Sequence, residues 1–205
     1  MIAADACRTM GHRTLGAVRE GLEGDILRYL NKSPENQAAG DNPRSRLGAI
    51  LTPQILCLVL YRLSHWLFVA GYRSLAVVLS RFNQLVHRVT LPPQSCIGPG
   101  CFLPHPAGVA FLGRAGRGLT LYSLSVCGPN RPWLPEGPVE DGPNLGDDVT
   151  VGALAGVAGP ITVGSSTKVA FGVNIDRDTP AGVMVVSTAM RAARTRGEQQ
   201  PESRR

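Results

Sequence analysis

Residues 145–180 read LGDDVT-VGALAG-VAGPIT-VGSSTK-VAFGVN-IDRDTP, six-residue segments that follow one another with no residue gained or lost. Each segment begins with a bulky aliphatic residue: Leu145, Val151, Val157, Val163, Val169 and Ile175. Four residues later each has a small or β-branched residue: Val149, Ala155, Ile161, Thr167, Val173 and Thr179. A period of six fits neither an α-helix nor an ordinary strand. It predicts a hexapeptide β-helix, in which each segment forms one flat side of a coil.

The same period extends towards the N-terminus. Its first positions are Leu91, Ile97, Leu103, Val109, Ala115 and Leu121, and its second positions are Ser95, Cys101, Ala107, Gly113, Leu119 and Ser125. Residues 127–144 are rich in Pro and Gly and lack the repeat, so we expect them to leave the coil as a loop. Twelve segments at three per coil predict a parallel β-helix of about four coils within residues 90–186.

A helical region, residues 24–89, is predicted to precede the coils and to pack on their end. The sequence patterns predict an amphipathic helix over 24–34, a linker over 36–46, and antiparallel helices over 53–71 and 72–88. Segment 1–23 has no clear pattern and is left as a poorly defined N-terminus.

The first long helix has a recognisable start and an apolar face. Thr52 is its predicted N-cap, and Pro53 suits the first helical position. Arg62 and His65 lie well inside it, so its apolar run is too short to span a membrane. At the end of the following helix, a protonated His87 would suit the helix dipole.

Charge and cysteine content argue against several classes of protein. The net charge is +6, but much of it comes from the tail 187–205, which is predicted to be disordered. No basic patch with interleaved aromatic residues is present, so nucleic-acid binding is not expected. The five cysteines show no CxxC spacing and no paired framework, and no signal peptide is evident, so a reduced cytoplasmic protein is expected.

Three stretches together carry a resemblance to a known family. They are YRLSHWLF at 61–68, CIGPGCFLPHPAGVAF at 96–111, and the hexads of 145–174. The chain resembles the serine O-acetyltransferases of the short bacterial type. The resemblance implies a left-handed parallel β-helix, a homotrimer, and acetyl-coenzyme A bound in the groove between neighbouring subunits.

The resemblance assigns the chemistry to one histidine. His105 lies where the family has its general base, and imidazole has a suitable pKa for accepting a proton near pH 7. On the donor side, Gly128 matches a loop glycine, Ala153 a contact with the pantetheine arm, and Lys168 a contact with coenzyme A phosphates. A His-ligated metal site is not expected, because His105 is the only histidine in the predicted coils.

The acceptor side departs from the family pattern. Thr90 replaces the Asp that orients the catalytic histidine, Pro104 replaces an Asp that helps to bind the serine ammonium group, and Ser33 replaces a second such Asp. Asp141 and Gly142 replace the Arg-His pair that binds the serine carboxylate. An acid at that point would repel the carboxylate of serine.

Other loop residues offer substitutes for the missing groups. A backbone carbonyl or one of the loop acids, Glu136, Glu140 or Asp141, could orient His105 instead. Arg131 and Trp133 could form a new wall of the acceptor site.

These features predict an acyltransferase that uses acetyl-coenzyme A, with direct transfer and an altered amine or alcohol acceptor. A genuine serine acetyltransferase, a sugar O-acetyltransferase and a non-catalytic homologue that binds a ligand or partner remain as alternatives. The chain ends in Arg205 rather than the Ile that often docks such enzymes onto cysteine synthase, so that partnership is not expected.

Overall fold

The chain has two blocks, a block of helices followed by a block of short strands. The computed structural model describes residues 14–32, 43–130 and 139–187. The helices are α1 (Leu15–Lys32), α2 (Pro43–Ile50), α3 (Pro53–Val69) and α4 (Arg73–His87). The strands are β1 (Cys96–Ile97), β2 (Ala110–Phe111), β3 (Arg114–Ala115), β4 (Thr120–Leu121), β5 (Val126–Gly128), β6 (Asn144–Leu145), β7 (Thr150–Val151), β8 (Gly156–Ala158), β9 (Thr162–Val163), β10 (Lys168–Val169), β11 (Asn174–Ile175) and β12 (Met184–Val185). A short 3₁₀ turn, Val139–Asp141, precedes β6.

The strands stack into three parallel sheets, which form the sides of a β-helix. Sheet I is β1-β3-β6-β9, sheet II is β4-β7-β10-β12, and sheet III is β2-β5-β8-β11. Isolated bridges extend the three ladders by one residue pair each: Phe102 with Thr120, Thr90 with Ala110, and Val163 with Thr179. Within the described residues each ladder is therefore five tiers deep. The prediction of about four coils was too low, because Cys127, Thr179 and β12 also join the ladders.

The loop leaves the coil without disturbing its register. Leu145 pairs with Val163, eighteen residues later, whereas Ala115 pairs with Leu145, thirty residues later. The loop therefore adds twelve residues at the corner between sheets III and I. Its predicted boundaries, 127–144, were too wide, because β5 includes Gly128 and β6 begins at Asn144.

One ladder position differs from the predicted register. Phe111, rather than Val109, pairs with Cys127 in sheet III. The amide of Val109 donates to the carbonyl of Pro106 at 3.1 Å, a corner turn that recurs at Tyr122–Ser125 and Gly152–Ala155. Two additional residues, Pro104 and His105, precede this turn and lengthen the step that follows Leu103. The next side is shorter by the same amount, so the register is recovered at Ala115.

The helical region is longer than the sequence pattern predicted. Helix α1 begins at Leu15, so residues 15–23 are not the poorly defined segment that we expected. The exposed i,i+4 pair Arg19 and Glu23, with N–O separation 2.8 Å, supports this first part of the helix. Helix α2 occupies part of the predicted linker and starts at Pro43, where the missing amide hydrogen of proline does no harm.

Helices α3 and α4 match their predicted positions closely. Thr52 has the extended backbone of an N-cap, but its hydroxyl donates to the carbonyl of Ala49 at 2.6 Å and not to the helix. The chain turns back at Gly71, where φ is 99°. Asn83 then joins the two helices by donating to the carbonyl of Cys57 at 2.8 Å. Within the described ranges, no helix combines the length and hydropathy needed to span a bilayer.

A buried ion pair attaches α1 and α3 to the first coil. Arg62 binds the Asp25 carboxylate through two nitrogens, at 3.0 and 3.1 Å, and also donates to the carbonyl of Gly98 at 2.7 Å. The same carboxylate accepts the amide of Cys101 at 2.7 Å. Burial raises the pKa of Asp25, and Arg62 opposes that effect. The Asp25 carboxylate in turn raises the pKa of Arg62, although burial acts to lower it.

The rest of the YRLSHWLF stretch has the same structural role. The hydroxyl of Tyr61 donates to the carbonyl of Ser95 at 2.8 Å. His65 Nδ1 lies 2.8 Å from the carbonyl of Pro93, and the histidine is buried. This stretch therefore holds α3 against residues 93–98 of the first coil, which fixes the helices relative to the site.

The described cysteines are buried and divide into two kinds. Cys57, Cys101 and Cys127 are free. Burial raises the pKa of the Cys127 thiol to about 12, so it is not a reactive thiol at the start of the loop. Cys96 is disulfide-bonded, contrary to the expectation of reduced cysteines, and its partner lies outside the described residues. Pairing depends on which thiols the fold brings together, and sequence spacing does not reveal that.

Candidate active site

His105 lies in the turn that carries the chain from sheet II to sheet III. The turn spans residues 104–108, and the side chain of His105 is exposed. The hydroxyl of Ser123 donates to the backbone carbonyl of His105 at 3.3 Å, and the amide of Leu124 donates to the carbonyl of Ala107 at 3.3 Å. The second tier therefore fixes the turn and leaves the imidazole in solvent.

The same edge continues past His105 along the β-helix. We call it the His105 edge: residues 104–108, 122–124, 152–154 and 170–172. The amide of Leu154 donates to the carbonyl of Ser123 at 3.2 Å, and the amide of Gly172 donates to the carbonyl of Ala153 at 2.9 Å. Successive tiers are thus joined in order, and Ala153 lies two tiers from His105.

The residues expected on the donor side do not all share this edge. Lys168 begins β10 in sheet II, directly before the His105 edge, and its side chain is exposed. Gly128 ends β5 at the opposite side of sheet III, where it pairs with Ala158 and is buried. Ala153 therefore lies on the His105 edge and Lys168 lies directly before it, whereas Gly128 lies apart from both.

Glutamine amides bind the two residues that stand where the family pattern has acids beside the catalytic histidine. Thr90 pairs with Ala110, and its hydroxyl oxygen accepts from Gln84 Nε2 at 3.2 Å. The carbonyl of Pro104 accepts from Gln54 Nε2 at 3.3 Å. Both amides are neutral, and Arg81 donates to Gln84 Oε1 at 3.2 Å, so the charged group in this network is a cation and not an acid. Both glutamines escaped sequence reasoning, because a polar residue on a helix does not reveal which loop it will reach.

The loop acids lie on another edge. Glu140 accepts from Arg114 of sheet I at 2.8 Å, which makes it a partner of β3. Asp141 ends the 3₁₀ turn, and the following Gly142 lies so close to the carbonyl of Leu112 that no side chain would fit. Within one chain, neither acid is therefore brought to His105, because the edge between sheets III and I is not the His105 edge.

Four further residues of the expected site, Ser33, Arg131, Trp133 and Glu136, lie outside the described residues. His87 contacts Asn83 Oδ1 through Nδ1 at 2.9 Å. Burial lowers the pKa of His87, so the charged form that we expected to suit the helix dipole is disfavoured.

An exposed imidazole on a turn with a fixed backbone is suited to proton transfer. His105 can accept a proton from a hydroxyl or amine that approaches from solvent. The turn at 104–108 holds the backbone of His105 in place through Ser123 and Leu124, so the base is positioned before substrate binds. Of the residues placed by the structure, His105, Ala153 and Lys168 form the most coherent candidate site.

Comparison with known proteins relates this arrangement to one family. No protein-family model matches the chain. It is 30% identical over 130 residues to the serine acetyltransferase of Mycobacterium tuberculosis, covering 62% of this chain and 54% of that protein. It is 30% identical over 141 residues to the serine acetyltransferase of Helicobacter pylori, covering 68% of this chain and 80% of that protein.

A solved structure agrees with the fold. The crystal structure of Neisseria gonorrhoeae serine acetyltransferase matches with a TM-score of 0.72 at 25% identity, over 83% of this chain and 64% of that one. The chain thus spans about half of the M. tuberculosis relative and most of the H. pylori one. On these similarities, the chain belongs to the serine acetyltransferase family, a family of acyltransferases.

Proposed function

We propose that this protein transfers an acyl group from acetyl-coenzyme A to a hydroxyl or amine, with His105 as general base. The observation that carries the proposal is the placement of His105. It is exposed at the end of an edge that also carries Ala153, with Lys168 beside it. Membership of the serine acetyltransferase family supports the choice of donor.

The transfer is direct in this proposal. The oxygen or nitrogen of the acceptor attacks the thioester carbonyl, and a nitrogen of the His105 imidazole accepts the proton that the acceptor loses. The carbon–sulfur bond then breaks, and the coenzyme A thiolate leaves and is protonated by the imidazolium. General base catalysis of this kind contributes about 10²–10⁴-fold to the rate.

The acceptor is proposed to differ from serine. Thr90 and Pro104 are neutral where the family pattern has acids, and the amides of Gln54 and Gln84 hold them. A zwitterionic amino acid therefore lacks an obvious counter-charge for its ammonium group on the described side of the site. We propose a neutral or singly charged amine or alcohol as the acceptor.

Membership of the serine acetyltransferase family supports the remaining parts of the proposal. We propose that the coils are left-handed, that the chain forms a homotrimer, and that the donor groove lies between subunits. Acetylation of serine itself is the second candidate function, since the relatives bear that name.

The decisive assay measures release of free thiol from acetyl-coenzyme A against a panel of amino acids, amines, alcohols and sugars. We expect turnover with a neutral acceptor, and a loss of about 10²-fold or more in His105→Ala, because the base is removed. His87→Gln is the matched histidine control and should retain wild-type activity.

Ordinary efficiency with L-serine would contradict the altered acceptor while preserving the transferase. Absence of turnover with every acceptor, together with no binding of coenzyme A in calorimetry, would favour a non-catalytic protein.

A further inference from the structure

The part of the chain around His105 contains no acid. The sequence has no Asp or Glu between Asp41 and Glu136, a stretch that includes α3, α4 and the first tiers of the β-helix. The acids of the described residues lie on α1 or on the two other edges: Glu20, Glu23, Asp25, Glu140, Asp141, Asp147, Asp148, Asp176 and Asp178. Within the described ranges, the His105 edge is therefore free of carboxylates.

Arg88 occupies the first corner of the His105 edge. The residue two positions before each strand of sheet III has a positive φ: Gly108, Leu124, Leu154 and Gly172. Arg88 stands in the same relation to Thr90, which pairs with Ala110, and its φ is 55°. The amide of Gly108 donates to the carbonyl of Arg88 at 2.9 Å. Arg88 therefore lies one tier, about 4.8 Å, from the turn that carries His105.

The backbone of Arg88 is fixed, whereas its side chain is exposed. Its amide donates to the carbonyl of Gln84 at 3.0 Å, and its carbonyl accepts from Gly108. Unlike Arg62 and Arg114, it forms no ion pair with any residue that the structure describes. A left-handed corner favours glycine, so the folding of the single chain does not explain an exposed arginine there.

A second cation lies on the same face of α4. Arg81 precedes Arg88 by seven residues, which is about two helical turns. Arg81 donates to Gln84 Oε1 at 3.2 Å, and Gln84 Nε2 donates to the hydroxyl of Thr90 at 3.2 Å. The two arginines thus flank the position at which the family pattern has an acid. An ammonium group bound there would meet like charge.

Arg88 and the expected donor residues lie on opposite sides of His105. Ala153 lies two tiers from His105 in one direction, and Lys168 begins the strand before the next tier. Arg88 lies one tier from His105 in the other direction. A donor bound by Ala153 and Lys168 therefore extends away from Arg88, and the guanidinium is left for the acceptor.

We propose that Arg88, with Arg81 behind it, binds a carboxylate of the acceptor. The acceptor is then an alcohol or amine with one carboxylate that lacks the ammonium group of an amino acid. A guanidinium donates two parallel hydrogen bonds to a carboxylate, which gives orientation as well as affinity. This inference rests on the proposed acyl-transfer function and specifies its acceptor by charge.

Acceptors that share one carbon skeleton and differ in charge test this. 3-Hydroxypropanoate is an anion, 3-hydroxypropanamide is its neutral counterpart, and L-serine adds an ammonium group to the anion. Thiol release from acetyl-coenzyme A gives kcat/KM for each. We expect 3-hydroxypropanoate to exceed the amide about tenfold or more, because Arg88 binds its carboxylate. L-Serine should be the poorer of the two anionic compounds, since its ammonium group meets two cations and no acid.

Variants of Arg88 separate recognition of charge from a structural role. Arg88→Gln should lower the ratio of kcat/KM for 3-hydroxypropanoate to that for the amide about tenfold, mainly through KM, and Arg88→Lys should recover part of it. The unfolding temperature should stay close to wild type, because the side chain is exposed. Arg73→Gln is the matched control. Its guanidinium lies over the Phe68 ring at 5.6 Å, at the other end of α4, so the ratio should not change.

Several results would overturn the inference. These are equal kcat/KM for the anion and the amide, an equal ratio in wild type and Arg88→Gln, or L-serine as efficient as 3-hydroxypropanoate. A preference for glycerol 3-phosphate over glycerol that exceeds the preference for the carboxylate would overturn the choice of a carboxylate. A higher KM for acetyl-coenzyme A in Arg88→Gln, with an unchanged ratio, would assign the arginine to the donor.

The same measurements distinguish this inference from the proposed function. Thiol release that depends on His105 and survives any of those results leaves the proposed function standing. If no acceptor is turned over, calorimetry with 3-hydroxypropanoate in the presence of coenzyme A decides. Binding that is weakened in Arg88→Gln would support the carboxylate site and overturn acyl transfer, whereas absence of binding would overturn both.

Discussion

At the scale of single residues, the groups beside His105 distinguish this chain from the family motif. Thr90 and Pro104 are neutral, and each is held by a glutamine, Gln84 and Gln54 respectively. Recognition of a small polar substrate depends on charge pairs, so two lost acids change specificity more than they change the fold. The backbone contacts that position the turn do not depend on those two side chains.

Introducing the two acids of the family pattern should increase activity with L-serine. In the double variant Thr90→Asp and Pro104→Asp, we expect kcat/KM for L-serine to rise about tenfold or more, because a charge pair with the ammonium group and an orienting partner for His105 are both gained. Steady-state thiol release measures this. Ala107→Asp places a charge on the same exposed turn and serves as the control. An equal rise in the control, or none in the double variant, would rule out these positions as the determinants.

At the scale of secondary-structure elements, one buried ion pair ties the helices to the coils. Asp25 of α1 and Arg62 of α3 are 0% and 5% exposed, and both also bond to the backbone of the first coil. Breaking such a pair leaves a charge buried without its partner, which is more costly than the pair itself is stabilising. The helices therefore depend on this contact for their orientation on the β-helix.

Asp25→Asn should lower the free energy of unfolding by about 3–5 kcal/mol, because Arg62 keeps its charge in a buried site. Urea denaturation followed by circular dichroism measures the change. Glu23→Gln, which removes an exposed i,i+4 pair on the same helix, should leave the free energy of unfolding almost unchanged, because solvent screens that pair. An equal decrease in the free energy of unfolding in both variants would contradict the view that the buried pair stabilises the fold more than the exposed one.

At the scale of the whole molecule, the β-helix is a stack of tiers in which each coil contacts its neighbours. The ladder of sheet I has the same eighteen-residue spacing on either side of the loop, as Cys96 pairs with Arg114 and Asn144 pairs with Thr162. A stack of this kind tolerates an insertion at a corner, because the register is set by the sides. The loop can thus vary in sequence while the frame stays constant.

Deletion of residues 130–141 should leave a folded protein. It joins Pro129 to Gly142 and restores a six-residue step from Cys127 to Leu145, like the step from Val157 to Val163. The described contacts that are lost include the partly exposed Arg114–Glu140 pair, the buried side chain of Val139 and the bond from the Gly142 amide to the Val139 carbonyl, but no strand of the ladders is lost. We therefore expect an unfolding temperature within about 10 °C of wild type.

Far-UV circular dichroism and thermal unfolding measure the effect of this deletion. A matched deletion of residues 170–175, which removes one side of a coil, should unfold or aggregate, because the sides of the later tiers would no longer align. Equal tolerance of both deletions would contradict the view that the sides alone set the register.

Much of the β-helix could be predicted, because the sequence pattern that specifies it is local and repeated. Aliphatic residues at a period of six determine the sides of the coils, and Pro53 and Gly71 mark the ends of α3. The prediction was wrong at Val109, where a proline-containing turn replaced the expected step, and at residues 15–23, where helix was not recognised. In both places a single local turn or a non-repeating pattern decides the structure.

The period, the parallel β-helix and the position of His105 within it could all be predicted from the chain alone, because each depends on residues close together in sequence. Tertiary structure alone decided that Asp25 meets Arg62, that Gln54 and Gln84 support the turn, and that Glu140 joins Arg114. It also brought Leu124, Leu154 and Phe171 onto the edge of His105. Those contacts join residues that are distant in sequence, and they form only once the coils have stacked.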